Sequence, residues 1–391
     1  MSPHSHTYIH HFTLSKEHEY VLLIAAIRTF LFTAVNIFLP VYIYKIYNFE
    51  LMILYLLLHY SIFALVAVGF LRHLINRVDL KTIQWYSLLL SILQLILIKF
   101  IDKHPVIVGL TALIGAFSLI LQFVPTHIIL ALFGKRENIG ERYALFNLVV
   151  TIISIITPFL SALIIKTIGF DNFFVCVLLI GIILLAYLRK AYGKYKSHSI
   201  SMSNITTRFK QYSEFFPLFF SDGIKAGADL LVMLLIYIFI NNIVYYGIIL
   251  TLISLVSSMS TFIIARFLDK KHDFAVGTIG YLLCSNIYVY LYFSLNSFGI
   301  FISNILLGLT RPLLATPFVV LYYHLIRKYG AELTLYYEIV TASARGILFS
   351  SAYILDLKTL IALVIMVYII AGIIYYRYAI KEELVIVFAR H

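Results

Sequence analysis

Charge is scarce in this chain. Only 12% of its 391 residues are Asp, Glu, Lys or Arg, while 62% are hydrophobic. Soluble domains carry about a quarter charged residues, so a soluble globular protein is excluded. Cysteine is nearly absent. Cys176 and Cys284 are the only two, each inside an apolar run and without a CxxC spacing. A disulfide scaffold is excluded, and both read as small buried hydrophobes. The chain holds 31 Phe and 30 Tyr, which excludes disorder. It has no Walker P-loop, HExxH or GxSxG sequence. Nor does any Lys/Arg block interleave with aromatics outside the apolar runs. The net charge of +12 is therefore not the footprint of nucleic-acid binding.

What is present is a succession of long apolar runs. A membrane-spanning helix needs about 20 residues, so the hydrophobic content allows about twelve spans. The runs predict helices over 20–44, 50–71, 82–100, 105–132, 143–167, 172–189, 216–240, 243–267, 275–294, 297–326, 333–355 and 358–379. They are apolar on all sides, which favours helices over the short alternating strands of a membrane barrel. Residues 1–19 are polar, with His4, His6, His10 and His11, and read as a solvated tail rather than a metal site. The first apolar run is longer than a signal-peptide core of about 7–15 residues, so no cleavable targeting segment is expected. One long polar stretch, 190–215, divides the helices six and six. The expected architecture is an all-α integral membrane protein of 12 transmembrane helices in two pseudo-symmetric six-helix bundles. Its parts are a tail (1–19), an N-terminal bundle (20–189), a central loop (190–215), a C-terminal bundle (216–379) and a second tail (380–391).

Loop charges orient this array. Of the 30 Lys and Arg, 21 fall on the side of the termini, five on the other side, and four inside helices. Basic loops face the cytoplasm, so both termini and the 190–215 loop are expected there, in a cell membrane.

The two halves repeat. Asn76-Arg77, after the second helix, corresponds to Asp269-Lys270 after the eighth, an offset of 193. Val124-Pro125 in the fourth helix corresponds to Thr316-Pro317 in the tenth, an offset of 192. Two independent landmarks with nearly one offset imply a duplicated six-helix unit. Transporters of this design bind their cargo between the halves, near the bilayer midplane.

With these features the chain resembles the major facilitator superfamily. The family pattern after the second helix is G-x-L-a-D-r-x-G-r-r. Here Leu74, Arg77 and Lys81 are kept, while Arg72, Asn76 and Asp79 replace Gly, Asp and Gly. The second copy keeps Asp269 and Lys270, with Ala265 and His272 at the glycine positions. The resemblance implies a secondary transporter and a conformational latch at Asn76, Arg77, Asp269 and Lys270. Thr157-Pro158 stands where some members carry a glycine-rich antiporter motif; without the glycines it reads as a helix kink.

Seven ionisable groups fall inside predicted helices: Arg28, Asp222, Lys225, Asp229, Arg311, Glu338 and Arg345. Charges at bilayer depth cost about 2.5–3.5 kcal/mol each on insertion scales and mark function by default. Arg28 and Lys225 lie on the first helix of each half, within about one turn of repeat-equivalent positions. In family members that carry organic anions, basic residues on these two helices grip the anion. The resemblance thus implies substrate contacts for Arg28 and Lys225, with Arg311 and Arg345 as further candidates. Asp222, Asp229 and Glu338 are the proton-coupling candidates, since a buried carboxylate gains a raised proton affinity. The competing reading is mutual neutralisation, Lys225 with either Asp, and Arg345 and Arg311 with Glu338 or Asp229. His59, His127 and His324 are expected to be buried and neutral. Gln122 and Asn147 are expected either to line a cavity or to bond between helices. Tyr237, Tyr245, Tyr246, Tyr281, Tyr288, Tyr290 and Tyr292 are expected mostly at interface belts or facing lipid.

The function expected is alternating-access transport of a small solute, favoured as an organic anion with protons by the four-to-three basic surplus. The alternatives are an exporter of lipophilic compounds, a non-transporting scaffold or sensor, and an intramembrane lipid-linked transferase. The last needs clustered carboxylates; the only DxxxD spacing, Asp269 to Asp273, holds Lys270 and Lys271 within it. No enzyme activity, cofactor or resident metal is implied. The expected partners are a small-molecule substrate, the bilayer and protons, with the protein a monomer.

Overall fold

The computed structural model describes residues 16–132, 139–192, 199–202, 205–268 and 273–388. Among them there is no strand. The first half holds α1 (Lys16–Ile46), α2 (Phe49–Ile75), α3 (Leu80–Ile98), α4 (Pro105–Leu132), α5 (139–168) and α6 (170–192). A short helix, α7 (Ile205–Tyr212), leads to the second half: α8 (Phe216–Ile240), α9 (Ile243–Leu268), α10 (Asp273–Phe293), α11 (Ser297–Tyr329), α12 (Glu332–Ile354) and α13 (Leu357–Phe388). Ten stretches are long and apolar enough to cross a membrane. One of them, Val149–Arg189, runs through both α5 and α6, and α12, with Glu338 and Arg345 among its polar residues, is membrane-length but less apolar than the ten. Counting α5 and α6 separately and adding α12, the described helices are compatible with twelve crossings.

Local chemistry sets the helix ends. Asp79 accepts from the Thr82 N–H at 2.9 Å and starts α3; Asn48, Asn242, Asn296 and Asp356 do the same for α2, α9, α11 and α13. Between α5 and α6 one residue makes the break. Gly169 has φ 82° and ψ 169°, a conformation essentially reserved for glycine. The central stretch 190–215 was expected as a loop, yet it contains α7. Phe209 and Tyr212 of α7 set their rings 4.9 and 5.6 Å from Tyr336 of α12, which holds the segment against the second bundle.

The outer surface is apolar. Ile183, Met259, Phe262 and Ile354 are each more than half exposed, as in a protein solvated by lipid. The tyrosine expectation needs correction. Tyr237, Tyr246, Tyr281 and Tyr288 are buried, because they pack on other rings: Tyr246 on Phe38, and Tyr281 and Tyr288 on Tyr368 of α13. Tyr245 and Tyr290 are exposed as expected.

A shift of 193 residues carries Leu80, the first residue of α3, onto Asp273, the first residue of α10. The same shift lays α1, α2, α4, α5 and α6 over α8, α9, α11, α12 and α13. Contacts between the halves obey the two-fold relation this implies. α1 packs on α8 and α4 on α11, each with its own repeat-mate; α2 packs on α12 and α5 on α9, pairs that exchange under the repeat. At the end bearing the termini, Arg327 Nε donates to the Ala131 carbonyl at 2.5 Å, and His127 Nδ1 lies 3.0 Å from the Tyr323 hydroxyl. At the opposite end Phe38 packs on Tyr246, and the Thr251 hydroxyl donates to the Ile155 carbonyl at 2.9 Å. The bundles therefore touch at both ends, with the membrane charges between.

Candidate substrate site

The C-terminal half organises six of the seven charges. On α8, Asp222, Lys225 and Asp229 share a face by their i, i+3, i+7 spacing. Lys225 Nζ sits 2.5 Å from Asp222 Oδ1, and the Tyr337 hydroxyl donates to Asp222 Oδ2 at 2.6 Å. The Lys225 ammonium also lies 5.8 Å from the centre of the Phe318 ring, a cation–π distance. Arg311 of α11 places Nη2 2.7 Å from Asp229 Oδ1, as an ion contact not aligned as a hydrogen bond. On α12, Arg345 Nη2 is 3.8 Å from Glu338 Oε2 and donates to the Thr341 hydroxyl at 3.0 Å. Each of Lys225, Arg311 and Arg345 thus faces a carboxylate named in the neutralising reading, the Lys225 and Arg345 partners lying on their own helices, and the Arg345 pair is the loosest.

Close approach of α12 to α8 depends on Gly223. A Cβ there would stand 2.7 Å from both the Ala344 Cβ and the Thr341 backbone. The missing side chain lets Glu338 and Arg345 come alongside Asp222 and Lys225. Glu338, five residues from the start of its sequence-predicted helix, is buried rather than an end-of-helix surface charge.

Arg28 is different. It is buried on α1 and donates from Nη1 to the Ser91 hydroxyl at 2.5 Å. Ser91 in turn meets the Ser118 hydroxyl at 2.7 Å, and Ser118 donates to the Ser87 carbonyl at 3.0 Å. The guanidinium lies 5.4 Å from the centre of the Phe32 ring. Among the described residues Arg28 has no carboxylate partner.

The two halves meet at a π-helical turn, Leu58–Ile62, within α2. Such turns insert one extra residue and recur at functional sites. Tyr60 in this turn is buried and lies in the electrostatic field of both Arg28 and Arg345. Its ring is 6.3 Å from Phe349 of α12. His59 beside it senses the same two guanidinium groups, with Nδ1 3.2 Å from the Ala112 carbonyl. Gly115 makes room, since a Cβ there would come within 2.5 Å of the His59 ring. So the charges of one arginine from each bundle act on the same π-turn.

The other expectations divide. His59 and His127 are enclosed and partnered, whereas His324 is exposed, because its position on α11 faces away from the bundle. Gln122 donates to the Thr126 hydroxyl within its own helix α4, and it is Gln84 of α3, donating to the same hydroxyl, that bonds between helices. The Asn147 side chain lies outside the described residues. Asn76 is engaged with the central segment: its carboxamide accepts from the Met202 N–H at 2.7 Å and donates to the Met202 carbonyl at 3.3 Å. Arg77 is exposed and makes no ion pair with a described residue, while Asp269 and Lys270 lie outside those residues. Tyr60, Tyr337 and Ser91 were not anticipated. Nothing in the sequence separates Tyr60 from the other tyrosines, since the π-turn has no motif. No group of three or more His, Cys, Asp or Glu that would hold a metal occurs among the described residues.

Two related bundles of membrane-length helices with buried charges in their interior are the build of a multi-pass membrane transporter rather than an enzyme. The family model of the Major Facilitator Superfamily matches residues 21–349, and the chain belongs to that superfamily. No curated protein matches it in sequence. Its fold is similar to two crystal structures of a bacterial homologue of the iron transporter ferroportin. The outward-facing one has TM-score 0.70, 13% identity, and covers 94% of this chain and 100% of that one. The inward-facing one has TM-score 0.69 at 11% identity, covering 94% and 99%. A bacterial metal transporter structure has TM-score 0.61 at 13% identity, covering 94% and 99%.

Proposed function

We propose that this transporter moves a small organic anion by alternating access, with protons as the coupling ion. The observation that carries the reading is that Arg28 and Arg345, one from each bundle, both act on the π-turn of α2, Arg28 bonded to Ser91 with no carboxylate partner among the described residues and Arg345 facing only Glu338, 3.8 Å away. An anion held by both arginines ties the halves together at the seam, and rocking of residues 20–189 against 216–379 then turns the site from one side to the other. Arginine suits the task because its fork binds a carboxylate in two hydrogen bonds. Lys225 and Arg311, each held by its own aspartate within the second half, are the further basic candidates. Glu338 is the proton site closest to the cargo: when the anion takes Arg345, the freed carboxylate binds a proton in low dielectric. Asp222 and Asp229 are the further candidates. The protein acts as a monomer in the cell membrane with both termini in the cytoplasm, consistent with the loop charges.

A metal cation is the cargo class raised by the neighbouring folds. It is disfavoured here because each of Asp222, Asp229 and Glu338 already faces a basic side chain at 2.5 to 3.8 Å. The test is counterflow of a panel of radiolabelled mono- and dicarboxylates in proteoliposomes, with and without an imposed pH gradient. Loss of transport in R28Q and R345Q supports the reading. Undiminished transport in the double variant overturns it, and uptake indifferent to the pH gradient removes the proton.

A further inference from the structure

Among the described residues, the buried charges pair off and leave one over. In the second half Lys225 faces Asp222 at 2.5 Å, Arg311 faces Asp229 at 2.7 Å and Arg345 faces Glu338 at 3.8 Å, so three bases and three acids cancel. At the helix ends Glu332 has Arg208 at 3.7 Å, and Lys81 lies in the field of Asp79. Arg28 has no carboxylate. Its Nη1 reaches the Ser91 hydroxyl, its guanidinium lies near the Phe32 ring, and its buried Nε meets no acceptor. A hydroxyl and a ring stabilise a cation without cancelling its charge.

Arg28 is also kept from water. It is 7% exposed, and the bundles touch at both ends of the seam. Arg327 and His127 make the contacts at the end bearing the termini, and Phe38 and Thr251 make them at the other. A carrier that turns its site from one side to the other by rocking passes through an arrangement closed at both ends. Enclosing a guanidinium there without a counter-charge is costly, because nothing offsets its lost hydration. One added negative charge removes that cost.

We infer that the protein is an obligatory anion exchanger: the seam closes only around a load that brings one net negative charge to Arg28, and the carrier does not return empty. This rests on the anion reading above and adds to it a charge count and a mode of turnover. A monoanion meets the count alone. A dianion held by both Arg28 and Arg345 meets it together with the proton that Glu338 binds on losing Arg345. Both loads carry the same net charge, so their exchange is electroneutral. A dianion entering against a monoanion then brings a proton with it, which is how a pH gradient drives the cycle.

The test loads proteoliposomes holding the full protein with radiolabelled lactate, succinate or malate. Efflux is followed into buffer containing the same unlabelled acid, and into buffer whose only anions are polymeric sulfonates too large to be carried. For the acids that show counterflow, efflux should be about tenfold or more faster into the first buffer, and the exchange should not change when valinomycin and potassium impose a membrane potential. Equal efflux into both buffers overturns the inference while the anion reading stands, and so does exchange that follows the potential. Counterflow of none of the acids removes the anion reading and the inference with it. A second measurement needs no transport: single-molecule energy transfer in nanodiscs between dyes on α4 and α11, at the end bearing the termini. Switching between near and far distances should be slow in the parent without carboxylate, and about tenfold faster either with an acid that shows counterflow or in R28Q without it. Switching equally fast in the parent with and without the acid, or no faster in R28Q, overturns the inference.

Discussion

Asn76 and Met202 are joined by a two-way amide pair, the side chain accepting from the backbone N–H at 2.7 Å and donating to the carbonyl at 3.3 Å. Asn76 ends α2 in the first bundle, and Met202 belongs to the segment that runs on to the second. An aspartate, the family's residue here, accepts but cannot donate, and it would face the Met202 carbonyl with like charge. The asparagine is therefore matched to this partner. It ties the linker to the first bundle in the arrangement described, a reading of the latch that does not use Arg77.

The first prediction concerns that tie. A hydrogen bond of this kind contributes about 0.5–1.5 kcal/mol. Asn76→Ala removes both bonds and Asn76→Asp at least one. Amide exchange at Met202 should rise roughly three- to tenfold in the alanine variant, and protease nicking within 190–215 should quicken. Unchanged exchange at Met202 in both variants would show that the pair holds nothing.

Arg28 and Arg345 should separate stability from transport. Among the described residues Arg28 has the Ser91 hydroxyl and the Phe32 ring as partners and no carboxylate, so Arg28→Gln should keep thermal stability near that of the parent while losing transport. Arg345→Gln strands Glu338 in the interior, and removing one member of a buried pair costs about 3–5 kcal/mol. The loose 3.8 Å contact argues for the lower end. Replacing Glu338 as well, in E338Q/R345Q, should recover most of the stability without recovering transport. A double variant as unstable as R345Q alone would mean that the pair is not the source of the loss.

Much of this fold was legible because lipid imposes a simple code. Length and apolarity gave the spans, and the 193-residue offset between Asn76-Arg77 and Asp269-Lys270 fixed the correspondence of α3 with α10. Charge spacing on a single helix was equally readable, as Asp222–Lys225 and Glu338–Arg345 demonstrate. What the sequence concealed was contact between helices. The expectation that Arg28 acts with Lys225 comes from repeat symmetry, whereas in the structure Lys225 pairs with Asp222, which also accepts from Tyr337, and the π-turn senses the charges of Arg28 and Arg345. That outcome depends on the π-turn at Leu58–Ile62 and on the close approach at Gly223, neither of which has a local signature. The short helix α7 was hidden for another reason: it is polar, and its two aromatic anchors find their partner only in the folded second bundle.

Gly169 and Gly109 offer a matched comparison of backbone effects. A Cβ added at either would meet no other atom within 4 Å, so alanine fits sterically at both. Gly109 lies in regular helix within α4, where Gly→Ala is favourable by up to about 1 kcal/mol. Gly169 sits at φ 82°, ψ 169°, where a side chain costs about 1–3 kcal/mol. Thermal unfolding in detergent should therefore move in opposite directions for G109A and G169A. Equal shifts would mean that the α5–α6 break is not set by this residue.

The two exchanged seams should respond unequally to a single methyl group, because their neighbours differ in kind. At the α5–α9 seam a Cβ on Gly247 would meet the Ala162 Cβ at 2.4 Å and the Pro158 carbonyl oxygen at 2.8 Å. Neither can rotate aside, so the helices themselves must part. At the α2–α12 seam a Cβ on Gly346 meets the Ser61 hydroxyl at 2.2 Å, which can turn away, and the Ser61 Cβ at 3.1 Å, which must give by a few tenths of an ångström. Overpacking against rigid neighbours costs about 1–3 kcal/mol. Gly247→Ala should lower stability by that amount or shift the bundles apart at the end away from the termini. The shift is readable as a longer distance between spin labels on α5 and α9. Gly346→Ala should be milder, and adding Ser61→Ala, which removes the 2.2 Å contact and leaves the 3.1 Å one, should relieve most of its effect. If G346A proved the more damaging and S61A failed to relieve it, the close crossing of α2 and α12 would not be as described.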